Sequence, residues 1–240
     1  MKLLLLPLLL LSAALASCQT STTQKGTAIN NPIVIELFTS QGCSSCPSAE
    51  KLLTELSDKD TNILLLSFHV DYWNRLGWVD SFSQKAFSER QRKYADIFRS
   101  ESVYTPQAVV NGQFEAIGSN RHDINRLINQ VYTHKTIIIG SSASRSNGKI
   151  MVAVQGDSYK QGYRLLALLV EKNAFTKIKA GENEGLLLQH KNIVREVKEI
   201  RAGQKGIYFA APQNYQNYQI VVLAQEESRL SIDDVSVLGL

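Results

Sequence analysis

Two short apolar runs bracket a stretch of helical periodicity, and that arrangement leaves few folds open. Residues 32–39 (P-I-V-I-E-L-F-T) and 62–70 (N-I-L-L-L-S-F-H-V) are nearly continuous in apolar residues, many of them β-branched. Such runs fit strands buried on both faces. Between them Ala49, Leu52, Leu53 and Leu56 recur at i, i+3, i+4 and i+7, one face of a helix that opens near Pro47. Strand, helix and strand in that order make a parallel pair joined by a crossover. Cys43-Ser44-Ser45-Cys46 falls at the junction of the first strand and the helix.

That position suits thiol chemistry. Unpaired backbone N–H groups at a helix N-terminus favour negative charge by about 0.3–1 kcal/mol, and up to about 2. At about 1.4 kcal/mol per pKa unit, a thiol ordinarily near 8.5 moves toward about 7. Cys43, nearer the tip, is the expected nucleophile. Cys46, one turn in, is the expected resolving thiol, which attacks the mixed disulfide and releases the substrate. An inert disulfide remains open as the alternative. Half of a zinc site would need further Cys or His at ligand spacing, and the chain has three Cys and no second C-x-x-C.

The rest of the chain divides at about residue 135. Residues 71–102 place Tyr72, Trp73, Trp78, Phe82, Phe87, Tyr94 and Phe98 among charges, which reads as a loop and then a helix from about Ser83 to Phe98. Asn111-Gly112 between apolar runs predicts a hairpin of Gln107–Val110 with Gln113–Ile117. Ile124, Leu127, Ile128 and Val131 mark a further helix, about Asp123 to His134. After Thr136, short candidate strands and a second Asn-Gly at 147–148 suggest a small β-sandwich. Around the cysteines, His69 and Asp71 alternate on one strand face. They read either as accessory groups to Cys43 or as a pair anchoring the next loop. Trp73 reads as part of a substrate groove or of a mini-core under the loop.

The N-terminus reads as targeting, not fold. Lys2, the apolar Leu3–Leu11 and small residues up to Ser17 form a signal peptide too short to span a bilayer. Leu15-Ala16-Ser17-Cys18 fits a bacterial lipobox, in which Cys18 is acylated. Ordinary cleavage after Ala16 is the rival. Gln19 after the Cys implies the outer membrane, facing the periplasm, if the host has two membranes. Residues 18–31 are polar and read as a flexible tether. The formal charge of +4 is too small and too scattered to argue for nucleic acid.

A resemblance joins these pieces. E-L-F-T-S-Q-G-C-S-S-C-P (36–47), F-H-V-D-Y-W-N-R-L-G-W (68–78), V-Y-T-P-Q-A-V-V-N-G (103–112) and G-E-N-E-G…N-I-V-R-E (181–196) resemble an uncharacterised bacterial family of secreted thioredoxin-like proteins. The resemblance implies an α/β, thioredoxin-like domain with a helical insert over 32–135, followed by a β-rich, sandwich-like domain over 136–240. It implies that Thr105-Pro106 is cis, faces the disulfide and contacts substrate backbone. It offers Glu36 as the acid that moves the proton of Cys46, with a strand Glu paired to Arg as the alternative. The expected function is a cell-envelope thiol–disulfide oxidoreductase acting on protein thiols or disulfides, with an unidentified redox partner. It needs no cofactor beyond the Cys43–Cys46 disulfide, assigns no metal, and attaches to the membrane through Cys18. The rivals are a copper-handling lipoprotein using the Cys pair and His69, and a non-enzymatic binding module with a structural disulfide.

Overall fold

The computed structural model describes residues 23–28, 33–131, 137–155, 160–201, 203–204 and 206–240. In chain order the elements begin with β1 (Thr23–Lys25), β2 (Thr27–Ala28), β3 (Ile33–Thr39), α1 (Cys46–Lys59) and β4 (Ile63–His69). Next come α2 (Lys85–Phe98), β5 (Gln107–Val110), β6 (Phe114–Ile117) and α3 (Arg121–Gln130). The rest is strand: β7 (Gly140–Ser146), β8 (Lys149–Gln155), β9 (Tyr163–Lys177), β10 (Leu187–Ile200), β11 (Ile207–Ala210), β12 (Tyr218–Glu226) and β13 (Ile232–Gly239).

These strands form two sheets. One has nine strands in the order β2-β13-β12-β9-β10-β4-β3-β5-β6, and the other has four, β1-β7-β8-β11. β3 and β4 pair in parallel from Ile33↔Ile63 to Thr39↔His69, as the crossover reading requires. β10 then adds to the far edge of β4, also in parallel, at Ile193↔Ser67.

Strand alternation distributes the apolar residues between two faces. Val34 and Phe38 of β3 join Leu166, Leu168 and Val170 of β9 on one face, under Phe87 and Tyr94 of α2. On the other face Ile35 and Leu37 meet Ala49 and Leu53 of α1 and Ile124 and Leu127 of α3. Farther along that second face, Leu165, Ala167 and Leu169 of β9 pack on Ile150, Val152 and Phe209 of the four-stranded sheet. A fully buried Leu such as Leu53 contributes about 1.5–3 kcal/mol.

The fold class expected from sequence is therefore corrected. A thioredoxin-like α/β domain with a helical insert does not describe this chain. Of the described residues 45% are strand and 22% helix, with three α-helices and two sheets. Helical periodicity is legible locally, whereas the partners of a strand edge are not. Nothing in residues 62–70 announces that a strand beyond residue 186 will pair there. α2, read as part of an insert, instead covers one face of the nine-stranded sheet.

The polar stretch 18–31 is described at 23–28, where β1 pairs with β7 and β2 with β13. Short polar strands hold to sheet edges by backbone bonds, which leave no trace in hydropathy. Gly26 lies where the chain passes from one sheet to the other. A Cβ there would meet Ser236 Oγ at 2.1 Å and Ser141 Oγ at 2.5 Å. The signal peptide 1–17 and Cys18 lie outside the described residues. Among the described residues no helix is long and apolar enough to cross a membrane.

Candidate functional site

Pro47 in its first turn starts α1, and Ser45 precedes it as a cap without a side-chain bond. Cys43 and Cys46 are joined in a disulfide at this end. The turn is held by Cys43 N–H donating to Ser40 O and Cys46 N–H donating to Cys43 O, both at 3.2 Å. Ser45 Oγ lies 3.5 Å from Cys43 Sγ. Ser44 and Ser45 are exposed, but Cys43 is 1% exposed and Cys46 fully buried.

The cover comes from the loop 178–186 between β9 and β10. Asn183 Nδ2 donates to Gln41 O and to Cys43 O, both at 2.9 Å. Glu182 accepts from Ser44 N–H at 3.2 Å. Trp73 closes another side: a Cβ on Gly42 would meet its Cβ at 3.4 Å. Trp73 Nε1 donates to Thr105 Oγ1 at 2.8 Å. The Thr105–Pro106 bond is cis, and Pro106 is buried.

Trp73 thus joins the cysteine turn to Thr105, while Glu36 lies elsewhere. It belongs to the face of β3 under α2, opposite α1. There Arg90 Nε donates to it at 2.8 Å and Arg90 Nη2 at 3.0 Å, and the Tyr94 hydroxyl also donates. This is the Glu–Arg pairing weighed as the alternative. Asp71 accepts from the Ser88 hydroxyl at 2.5 Å and tethers the loop after β4 to α2. His69 pairs with a different carboxylate, Asp80.

Behind the disulfide lies a buried polar cluster. His69 Nδ1 donates to Asp80 Oδ2 at 2.7 Å, and both side chains are fully buried. Asp80 also accepts from the backbone N–H groups of Gln41 at 2.8 Å and Phe82 at 2.9 Å. On α1, Glu50 accepts from the Thr39 hydroxyl at 2.8 Å and from His190 Nδ1 at 2.8 Å. Gln41 ties the halves together: its Nε2 donates to Thr176 Oγ1 at 3.0 Å and lies 3.4 Å from His190 Nε2. Phe82 packs edge-on against both imidazoles, 5.2 and 5.3 Å between centroids. Burial opposes charge on His69, but the neighbouring Asp80 carboxylate and then Glu50 hold its pKa above the ordinary value. Burial also opposes charge on Asp80, yet His69 and the two N–H donors hold its carboxyl below the usual range.

The sequence signal for this cluster was slight. Glu50 is a carboxylate four residues after Cys46, beside the apolar Ala49, Leu52 and Leu53, which places it on the cysteine side of the helix. His190 stands isolated in the sequence and Asp80 has no motif around it, because β10 reaches β4 only through the tertiary fold. Glu182 and Asn183 sat in the quoted G-E-N-E-G stretch with no role attached.

Residues 34–225 match a family described as a protein of unknown function, DUF1223. The chain belongs to the DUF1223 family. The DUF1223 match runs from β3 into β12 and so contains the disulfide, its covering loop and the whole buried cluster. A crystal structure of an Agrobacterium tumefaciens protein is similar over 86% of this chain and 93% of its own, at 26% identity and a TM-score of 0.61. HBP35 of Porphyromonas gingivalis aligns over 87% of this chain and 75% of its own, at 13% identity and a TM-score of 0.49. No curated protein matches this DUF1223 chain.

Proposed function

We propose that this DUF1223 chain carries out thiol–disulfide exchange on protein substrates of the cell envelope, through Cys43 and Cys46. The observation that carries the proposal is the placement of Cys43 Sγ at the N-terminal end of α1, with the Ser45 hydroxyl 3.5 Å away. Helix N–H groups and a hydroxyl both favour a thiolate there. A disulfide spanning two intervening residues closes almost no loop and adds little stability, so its close spacing fits chemistry better than bracing.

In the reducing direction the Cys43 thiolate attacks a substrate disulfide, forming a Cys43–substrate disulfide and releasing one substrate thiolate. The Cys46 thiolate then attacks Cys43 Sγ, releases the second substrate thiolate and leaves the Cys43–Cys46 disulfide. Two electrons pass to the substrate. A partner dithiol returns them, and the oxidising direction is the reverse. Three side-chain hydrogen bonds from Asn183 and Glu182 hold the loop on this turn, and they must open for substrate to reach Cys43.

Burial of Cys43 favours a second reading, a non-enzymatic binding module with a fixed disulfide. One measurement separates the two. The Cys43–Cys46 potential of the full chain is taken by equilibration in dithiol buffers, together with turnover of a disulfide-bonded peptide. A potential above about −250 mV with turnover supports exchange. A potential below about −300 mV with no turnover rejects it in favour of the fixed disulfide.

A further inference from the structure

One nitrogen in the buried cluster is unaccounted for among the described residues. His69 is fully buried and its Nδ1 is committed to Asp80, yet its Nε2 has no hydrogen-bond partner among the described residues. A buried polar atom left unpaired loses its water without recovering a hydrogen bond. Natural cores rarely accept that without a ligand, an ion or a water to answer it.

The surroundings say which kind of ligand answers it. One ligating atom each from Glu50, His69 and His190 fall within 4.8 Å of one another. Two imidazoles and a carboxylate are a donor set for divalent first-row transition ions. His190 Nδ1 and Glu50 Oε2 are 2.8 Å apart. That contact is a hydrogen bond in this state; ligands on a tetrahedral ion with bonds of about 2.05 Å lie about 3.3 Å apart, so binding replaces the shared proton and parts the two atoms by about 0.5 Å. Asp80 accepts from His69 Nδ1 and so fixes the ring with Nε2 as the nitrogen left to ligate. A carboxylate behind a ligating imidazole is the usual support of such sites.

Charge permits the same ligand. The cluster buries the carboxylates of Glu50 and Asp80 with two imidazoles. Two protons, or one dication with both imidazoles neutral, bring its charge to zero. Arg195 is the nearby cation. It lies 4.7 Å from the Phe82 ring centroid, on the residue that covers both imidazoles, and is itself paired with Glu171 at 3.5 Å. Both sulfurs are taken up by the disulfide in this state, so the site is built of nitrogen and oxygen.

We propose that Glu50, His69 and His190 form a binding site for one divalent transition-metal ion, with Asp80 as the residue that orients His69. The proposal is independent of the exchange chemistry, since it is tested on the oxidised protein without any thiol assay. Oxidised full chain carrying Cys18→Ser is titrated with Zn²⁺ by calorimetry at pH 7.5, and with Co²⁺ by visible absorption. One ion per chain is expected, with apparent dissociation at micromolar concentration or tighter, and Co²⁺ bands free of sulfur-to-metal charge transfer. Glu50→Gln and His190→Gln are expected to weaken binding at least 30-fold, and Asp80→Asn about 10–100-fold. Circular dichroism identifies which variants fold, and one folded variant suffices. The wild-type melting temperature should rise with Zn²⁺, and that rise should be lost in the folded variants. Absence of stoichiometric binding to the wild type overturns the site. So does binding that survives unchanged in a folded Glu50→Gln or His190→Gln variant.

Discussion

Glu36→Gln separates a structural carboxylate from a catalytic one. Glu36 is fully buried and accepts from Arg90 Nε, Arg90 Nη2 and the Tyr94 hydroxyl. Gln keeps the shape but removes the charge and turns one acceptor into a donor facing another donor. Arg90 is held above its ordinary pKa: burial alone would lower it, and the Glu36 charge outweighs that. A guanidinium does not deprotonate in proteins, so Arg90 stays charged after the substitution and loses its counterion in the interior. Breaking a buried pair in this way costs about 3–5 kcal/mol. For a chain of this size each kcal/mol lowers the melting temperature by about 2–4 °C, so the fall should be roughly 6–20 °C. Arg90→Met in the Glu36→Gln background should recover part of it, because the orphaned charge is gone. Urea unfolding monitored by tryptophan fluorescence gives the free energies. Exchange at Cys43, measured where both proteins are fully folded, should be unchanged, since Glu36 lies on the sheet face opposite α1. A loss below about 1 kcal/mol would refute the buried-pair argument. A tenfold slower exchange in folded Glu36→Gln would refute the assignment of Glu36 to structure.

Further expectations concern the cover, a turn and alkaline pH. Asn183→Ala removes both bonds to Gln41 O and Cys43 O, so reduction of the disulfide by dithiothreitol should quicken at least tenfold. An unchanged rate would mean that the loop is no barrier. Gly112→Ala adds a Cβ 2.0 Å from Leu230 O at a φ of +65°, and should destabilise by at least about 1–3 kcal/mol in urea unfolding. Burial pushes Tyr72 and, aided by Glu115, Tyr104 up to about 12. Above pH about 10 the unfolded chain therefore loses those protons before the folded one does. Stability should hold below pH 10 and fall above it, more shallowly in Tyr72→Phe, as read from urea midpoints.

Local elements were legible because their signals are local. Ala49, Leu52, Leu53 and Leu56 announced α1, and both Asn-Gly turns appear, with φ of 45° and 65° at 111–112 and 50° and 70° at 147–148. Ile232–Gly239 gives no strand signal in the sequence, although it pairs with β12 along its length. Its Asp233, Asp234 and Ser236 break the apolar pattern. The apolar pattern marks strands only over Arg164–Glu171 and part of Leu186–Val197, whereas β9 and β10 reach Lys177 and Ile200, because polar residues such as Asn173, Lys191 and Lys198 sit in backbone ladders that hydropathy does not register. The cysteine pair was legible from spacing and context. The imidazoles behind it were not, since His69 and His190 meet only where β10 lies beside β4.

The long β9–β10 hairpin also has a mechanical meaning. Its strands run roughly 45 Å at about 3.3 Å per residue. One end lies in the nine-stranded sheet where it packs on the four-stranded one, with Leu165 and Ile200 buried. The other carries Asn183 over Cys43. Midway, Ile193 pairs with Ser67 of β4. β12 holds β9 from Tyr163 to Glu171, and the rest of the ribbon overhangs the cysteine turn. Exposure of the sulfurs is thus tied to the end of a strand pair whose other end lies in the core between the sheets, rather than to a separate surface loop.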